Sequence, residues 1–146
     1  MITRPGTRSV LVAALVIVLA LAPSALAGKG GKGKPGSSTS STSTLSLKMV
    51  YDRNADGAPN WNDQVTFNVS TTATLKPWVK LNCYQAGVWV STSTAGFFAA
   101  YPWPPNFTLA SGGWTGGAGD CTATLYLVTS NGRSKTLATL SFHVDA

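Results

Sequence analysis

Glutamate is absent from this 146-residue chain, histidine occurs once and cysteine twice. Each scarcity removes a class of chemistry. A carboxylate pair for glycoside hydrolysis has only Asp52, Asp56, Asp63, Asp120 and Asp145 to draw on, and three of these crowd into one short stretch. A serine nucleophile would need His143 as its base, and the nearest acid, Asp145, lies two places along the same segment, too local for the usual relay. No CxxC, HExxH or phosphate-cradling glycine loop occurs. The glycine-rich "SGGWTGGAGD" (111–120) has no helix pattern after it and is expected as a connection between strands. The chain is therefore expected to be non-catalytic.

Long apolar runs are confined to the N-terminus. Arg4 and Arg8 precede "VLVAALVIVLALA" (10–22), too short to cross a bilayer comfortably, and Pro23 and Ala25-Leu26-Ala27 follow it. This is the pattern of a secretory signal peptide (1–27), with cleavage expected after Ala27. No cysteine follows to take a lipid, and no second apolar run appears, so the expectation is a released, extracellular chain with no membrane insertion after cleavage. The formal charge of +6 suggests nucleic acid until it is located. Arg4 and Arg8 leave with the signal, and Lys29, Lys32 and Lys34 sit in "GKGGKGKPG". From Leu45 onward six basic residues face five aspartates, a net of +1. Nucleic acid is therefore not an expected partner, although the basic tail suits contact with an acidic cell envelope.

Residues 28–44, "GKGGKGKPGSSTSSTST", contain no aliphatic residue and are expected to form a flexible linker. Beyond them lie seven short alternating runs, broken every 8 to 14 residues by Gly, Pro, Asn or Asp: 45–51, 64–72, 78–85, 88–92, 107–111, 121–130 and 136–145. Seven such segments in about 100 residues predict an all-β antiparallel sandwich over 45–146. Period-2 alternation assigns the core to Val65, Phe67 and Val69; Val79, Leu81 and Cys83; Cys121, Ala123, Leu125 and Leu127; and Leu140, Phe142 and Val144. Cys83 and Cys121 both point inward, at places that antiparallel neighbours would bring together, so one disulfide is expected. Ser130-Asn131-Gly132-Arg133 supplies a hairpin turn between the last two strands.

The spacing of "WVKLNCY" (78–84) against "GDCTATLY" (119–126), with the following "NG" hairpin, resembles a bacterial immunoglobulin-like domain. In texture it is similar to the small secreted Ig-like proteins of actinobacteria. The resemblance implies an Ig-like sandwich used for binding or adhesion. It departs from the antibody type in placing Cys83 on the third run and in turning Trp78 outward.

Two constellations remain as candidate sites. Asp52, Asn54 and Asp56, then Gly57 and Asp63, fit the pattern D-x-[DN]-x-[DN]-G-x5-[DE] of a calcium loop, here between strands. The same residue types also build an Asx-stabilised turn stiffened by Pro59, and the pattern alone leaves calcium and turn open. The second constellation is aromatic. Trp78, Tyr84 and Trp89, with Trp103 in the proline-stiffened "FFAAYPWPPNF" (97–107), offer flat rings. Such rings stack on sugars or anchor a protein partner, unless the loop folds back and covers them. Trp61 and Trp114 are expected to plug the ends of the sandwich. The expected role is a monomeric, secreted, non-catalytic module for an extracellular protein. A polysaccharide-binding module and a structural envelope role are the alternatives.

Overall fold

The structure is a computed structural model that describes residues 42–146. The expected signal peptide and residues 28–41 of the expected linker lie outside the described residues. Ser43 and Thr44, assigned above to the linker, instead open the first strand. They pair with Thr71 and Ser70, because hydroxyl side chains fit an edge strand as readily as a linker.

Seven strands and no helix make up the described residues. They are β1 (Ser43–Tyr51), β2 (Gln64–Thr71), β3 (Trp78–Gln85), β4 (Val88–Gly96), β5 (Phe107–Thr108), β6 (Gly119–Val128) and β7 (Ser134–Val144). They form two antiparallel sheets, a three-stranded one ordered β1-β2-β5 and a four-stranded one ordered β4-β3-β6-β7. Five of the elements, β1 among them, differ appreciably from expectation. β4 runs four residues further than its apolar pattern, through "STAG", because Ser93, Thr94 and Ala95 pair with Leu81, Lys80 and Val79. β5 shrinks to two residues, and β6 and β7 each begin two residues earlier.

Alternation is sharpest on β3 and β6, the inner strands of the larger sheet. Val79, Leu81, Cys83, Cys121, Ala123 and Leu125 are all buried and face the smaller sheet. Phe67 on β2 meets Phe107 edge-on, with ring centroids 5.4 Å apart, and meets Phe142 on β7 at 6.4 Å. One ring thereby ties the two sheets together, since aromatic pairs in tilted or edge geometry add attraction beyond the area they bury. Val69, Leu127, Leu140 and Phe142, on the expected core faces, are only partly buried, the last two because β7 is an edge strand.

Cys83 and Cys121 are direct cross-strand partners and form a disulfide with Cα atoms 4.1 Å apart. The bridge closes a loop of 38 residues' separation, which the chain-entropy picture values at about 4 kcal/mol. It lies within one sheet rather than between sheets. Trp114 is buried, with its indole N–H donating to the Gly117 carbonyl at 3.0 Å, and Trp61 packs partly buried against the same core.

The turns differ in their chemistry. Ala86 and Gly87 both have positive φ, 49° and 78°, so a two-residue mirror-image turn joins β3 to β4. Between β6 and β7 the connection is longer than a two-residue hairpin, covering 129–133. There only Gly132 has positive φ, and its N–H donates to the Thr129 carbonyl.

Candidate functional site

The 52–63 loop is held by its own acidic and amide side chains. Asp52 accepts from the Ala55 N–H and the Gly57 N–H, each at 2.7 Å, through its two carboxylate oxygens. Gly57 has φ 80°, which a side chain would oppose. Asp63 is fully buried, 0% exposed. Its two oxygens accept from the backbone N–H groups of Arg53 and Asn60, both at 2.9 Å. Each of these bonds gives a partner to a backbone N–H that the loop would otherwise leave unsatisfied.

Asn60 provides the centre of the loop, at a place that the pattern D-x-[DN]-x-[DN]-G-x5-[DE] leaves unspecified. It is 7% exposed. Its side-chain nitrogen lies 3.1 Å from each oxygen of Asp56, 3.0 Å from the Ala58 carbonyl and 3.4 Å from Asn54 Oδ1. Four oxygens thus converge on a group with two hydrogens to give. The Asp56 carboxyl is held below the ordinary aspartate range, first by the Ala58 N–H and then by Asn60. Counted from Asp52, residues Asn54, Asp56, Ala58 and Asn60 fall at the third, fifth, seventh and ninth places of the twelve-residue calcium-loop pattern. Counting to the seventh and ninth places would have found Ala58 and Asn60 in the sequence. Among the described residues, no three His, Cys, Asp or Glu side chains group as a metal-holding set. Asp52 and Asp63 bind backbone, and the converging atoms are one carboxylate, one amide oxygen and one carbonyl.

The second constellation sits on the outer face of the four-stranded sheet, where cross-strand register places residues in rows. Trp89, Tyr84, Asp120 and His143 make one row. Next come Thr92, Asn82, Thr122 and Ser141, then Thr94, Lys80, Thr124 and Thr139. Trp78, paired with Gly96 and Tyr126, closes the far end. Strand geometry puts Trp78 and Tyr84 about 20 Å apart, with a field of hydroxyls between.

The proline-stiffened segment covers one end of this face and leaves the other open. Phe98 and Tyr101 pack edge-on against Trp78, with centroids 5.4 and 5.5 Å away. They lie so close over Gly96 that an added methyl would stand 2.5 Å from Phe98 and 2.7 Å from Tyr101. Trp89 stays 57% exposed, beside a half-exposed Tyr84. Trp103 is 68% exposed, but it belongs to the segment crossing from β4 to β5 rather than to a strand. Of the four candidate rings, the face therefore gathers Trp78, Tyr84 and Trp89, and Trp103 stands apart.

His143 borders the open end. Its Nδ1 lies 2.8 Å from Asp120 Oδ1, and Nε2 lies 3.8 Å from Asp145 Oδ1. The hydrogen bond to Asp120 raises the imidazole pKa above its ordinary value, helped by the charges of Asp120 and Asp145. Asp145 also ties this corner to the acidic loop, since its N–H donates to the Pro59 carbonyl and its carbonyl accepts from Trp61.

The chain matches no family model, no curated protein and no solved structure.

Proposed function

We propose that this chain is a secreted, non-catalytic binding module with an immunoglobulin-like scaffold, which holds a polysaccharide on the outer face of its four-stranded sheet. The observation that carries the reading is the make-up of that face. Exposed Trp89 and Tyr84 stand at one end, the partly covered Trp78 at the other, and rows of threonine, serine and asparagine lie between them. Rings present flat apolar surface to the C–H faces of sugars, and hydroxyls and amides both donate and accept toward sugar hydroxyls. The order β1-β2-β5 against β4-β3-β6-β7 supports the Ig-like scaffold. It reads as an ABE sheet against a CFG sheet extended by one strand. The same proposal puts a calcium ion in the 52–63 loop. Turning the Asn60 amide end for end would replace its nitrogen by a fifth oxygen, and the ion would brace the turn beside the open end of the face.

A protein partner is the second reading, and a different surface favours it. Leu75, 94% exposed, and the half-exposed Val128 border a hollow of about 410 Å³ beside Trp78, with Thr74 and Lys76. Exposed aliphatic side chains around a hollow suit a protein anchor better than a sugar.

Retention on insoluble cellulose, chitin and xylan tests the first reading. The wild-type protein should be retained on at least one of them, Trp89→Ala should release it, and Trp103→Ala should not. Retention that survives Trp89→Ala together with Tyr84→Ala would remove the sheet face from the proposal.

A further inference from the structure

The outer face is not uniform in charge. All five aspartates are placed away from its middle: Asp52, Asp56 and Asp63 in the acidic loop, Asp120 and Asp145 beside His143. Lys80 stands in the middle. It is exposed, with Thr94 and Thr124 as its direct partners on β4 and β6. Among the described residues both ion pairs use His143, so no carboxylate of the fold answers the Lys80 ammonium. With Tyr126, Ser134 and Thr136, these residues line a hollow of about 360 Å³. That is the small end of the range for ligand pockets.

Resting on the polysaccharide reading above, we propose that this hollow is a subsite for a uronate, the carboxylated sugar unit of an acidic polysaccharide. One ammonium offers one positive charge, which one carboxylate answers. Hydroxyls of Thr94, Thr124, Ser134 and Thr136 can donate to carboxylate oxygens and accept from ring hydroxyls, and Tyr126 gives the sugar an apolar wall. A doubly charged phosphate monoester asks for more donors than a single lysine supplies; such sites use arginine forks or clustered backbone N–H groups. The remaining units of the polymer would run along β3 toward Tyr84 and Trp89.

Calorimetry or affinity electrophoresis of the full secreted chain decides the matter with three soluble probes: polygalacturonate, its fully methyl-esterified form, and an uncharged β-glucan. Esterification removes the charge and keeps the ring. The wild-type protein should bind polygalacturonate about tenfold more tightly than the ester, the size expected for one charged hydrogen bond. Lys80→Gln should erase that preference while leaving the melting temperature unchanged. Lys76→Gln, which alters net charge equally outside the hollow, should keep it, and so separates the subsite from general attraction of the basic chain to a polyanion. Equal binding of acid and ester, or a preference that survives Lys80→Gln, would overturn the uronate subsite and leave the polysaccharide reading standing. No binding to any of the three probes, together with no retention on the insoluble panel, would overturn both.

Discussion

His143 and Asp120 are cross-strand partners on β7 and β6, and their side chains meet at 2.8 Å on the exposed face of the larger sheet. The contact favours the protonated imidazole, so the folded-state pKa lies above the unfolded value. Its contribution to stability is therefore fully present below the unfolded pKa near 6.5 and is lost as pH rises through the folded pKa. An NMR titration should place the His143 midpoint above 6.5 in the wild type and lower in Asp120→Asn. Equal midpoints in the two proteins would show that the pair does not form in solution.

Calcium should raise the melting temperature. An ion that binds only the folded state adds RT ln(1 + [Ca²⁺]/Kd), about 1.4 kcal/mol at ten times the dissociation constant, or roughly 6 °C for a domain of this size. Asp56→Ala should abolish the rise and Asp120→Ala should preserve it. Superimposed melting curves in millimolar calcium and in chelator would leave the loop as a hydrogen-bonded turn.

Asp63 should matter with or without calcium. Its removal strips acceptors from two backbone N–H groups, one of them on buried Asn60. Asp63→Ala is expected to cost about 3 kcal/mol, seen in chelator as a fall of more than roughly 10 °C in melting temperature. A change within a degree or two would mean that water replaces the carboxylate at no cost.

Ala86 carries φ 49° in the β3–β4 turn, a conformation that opposes a Cβ. Ala86→Asn restores the Asn-Gly pair that such turns favour. A gain of about 0.5–1 kcal/mol in chemical denaturation is expected, and a loss would show that the turn relaxes out of the left-handed region.

What the sequence determined by itself were the properties that repeat along a strand. Alternation of Val79, Leu81 and Cys83 against Trp78, Lys80, Asn82 and Tyr84 sets which side of β3 is buried, because successive side chains point to opposite faces whatever the partner strand. The same parity pointed both cysteines inward and so foretold their bridge. Strand ends were less legible: "STAG" (93–96) has no apolar signature, and it became strand only because β3 offered a long edge to pair with. The pattern D-x-N-x-D-G in the acidic loop was visible and counts on to Asn60, but the place of that amide at the centre of four converging oxygens was not. That place depends on Asp63 being drawn into the interior and folding the loop around the amide. Tertiary structure alone decided the makeup of the sheet face. Lys80, Thr94, Thr124 and Thr136 come from four separate strands, and no spacing along the chain records a cross-strand register. It alone also decided which rings stay open. Trp78 and Trp89 have equal claim in the sequence, but Gly96 leaves room for Phe98 and Tyr101 only over the first.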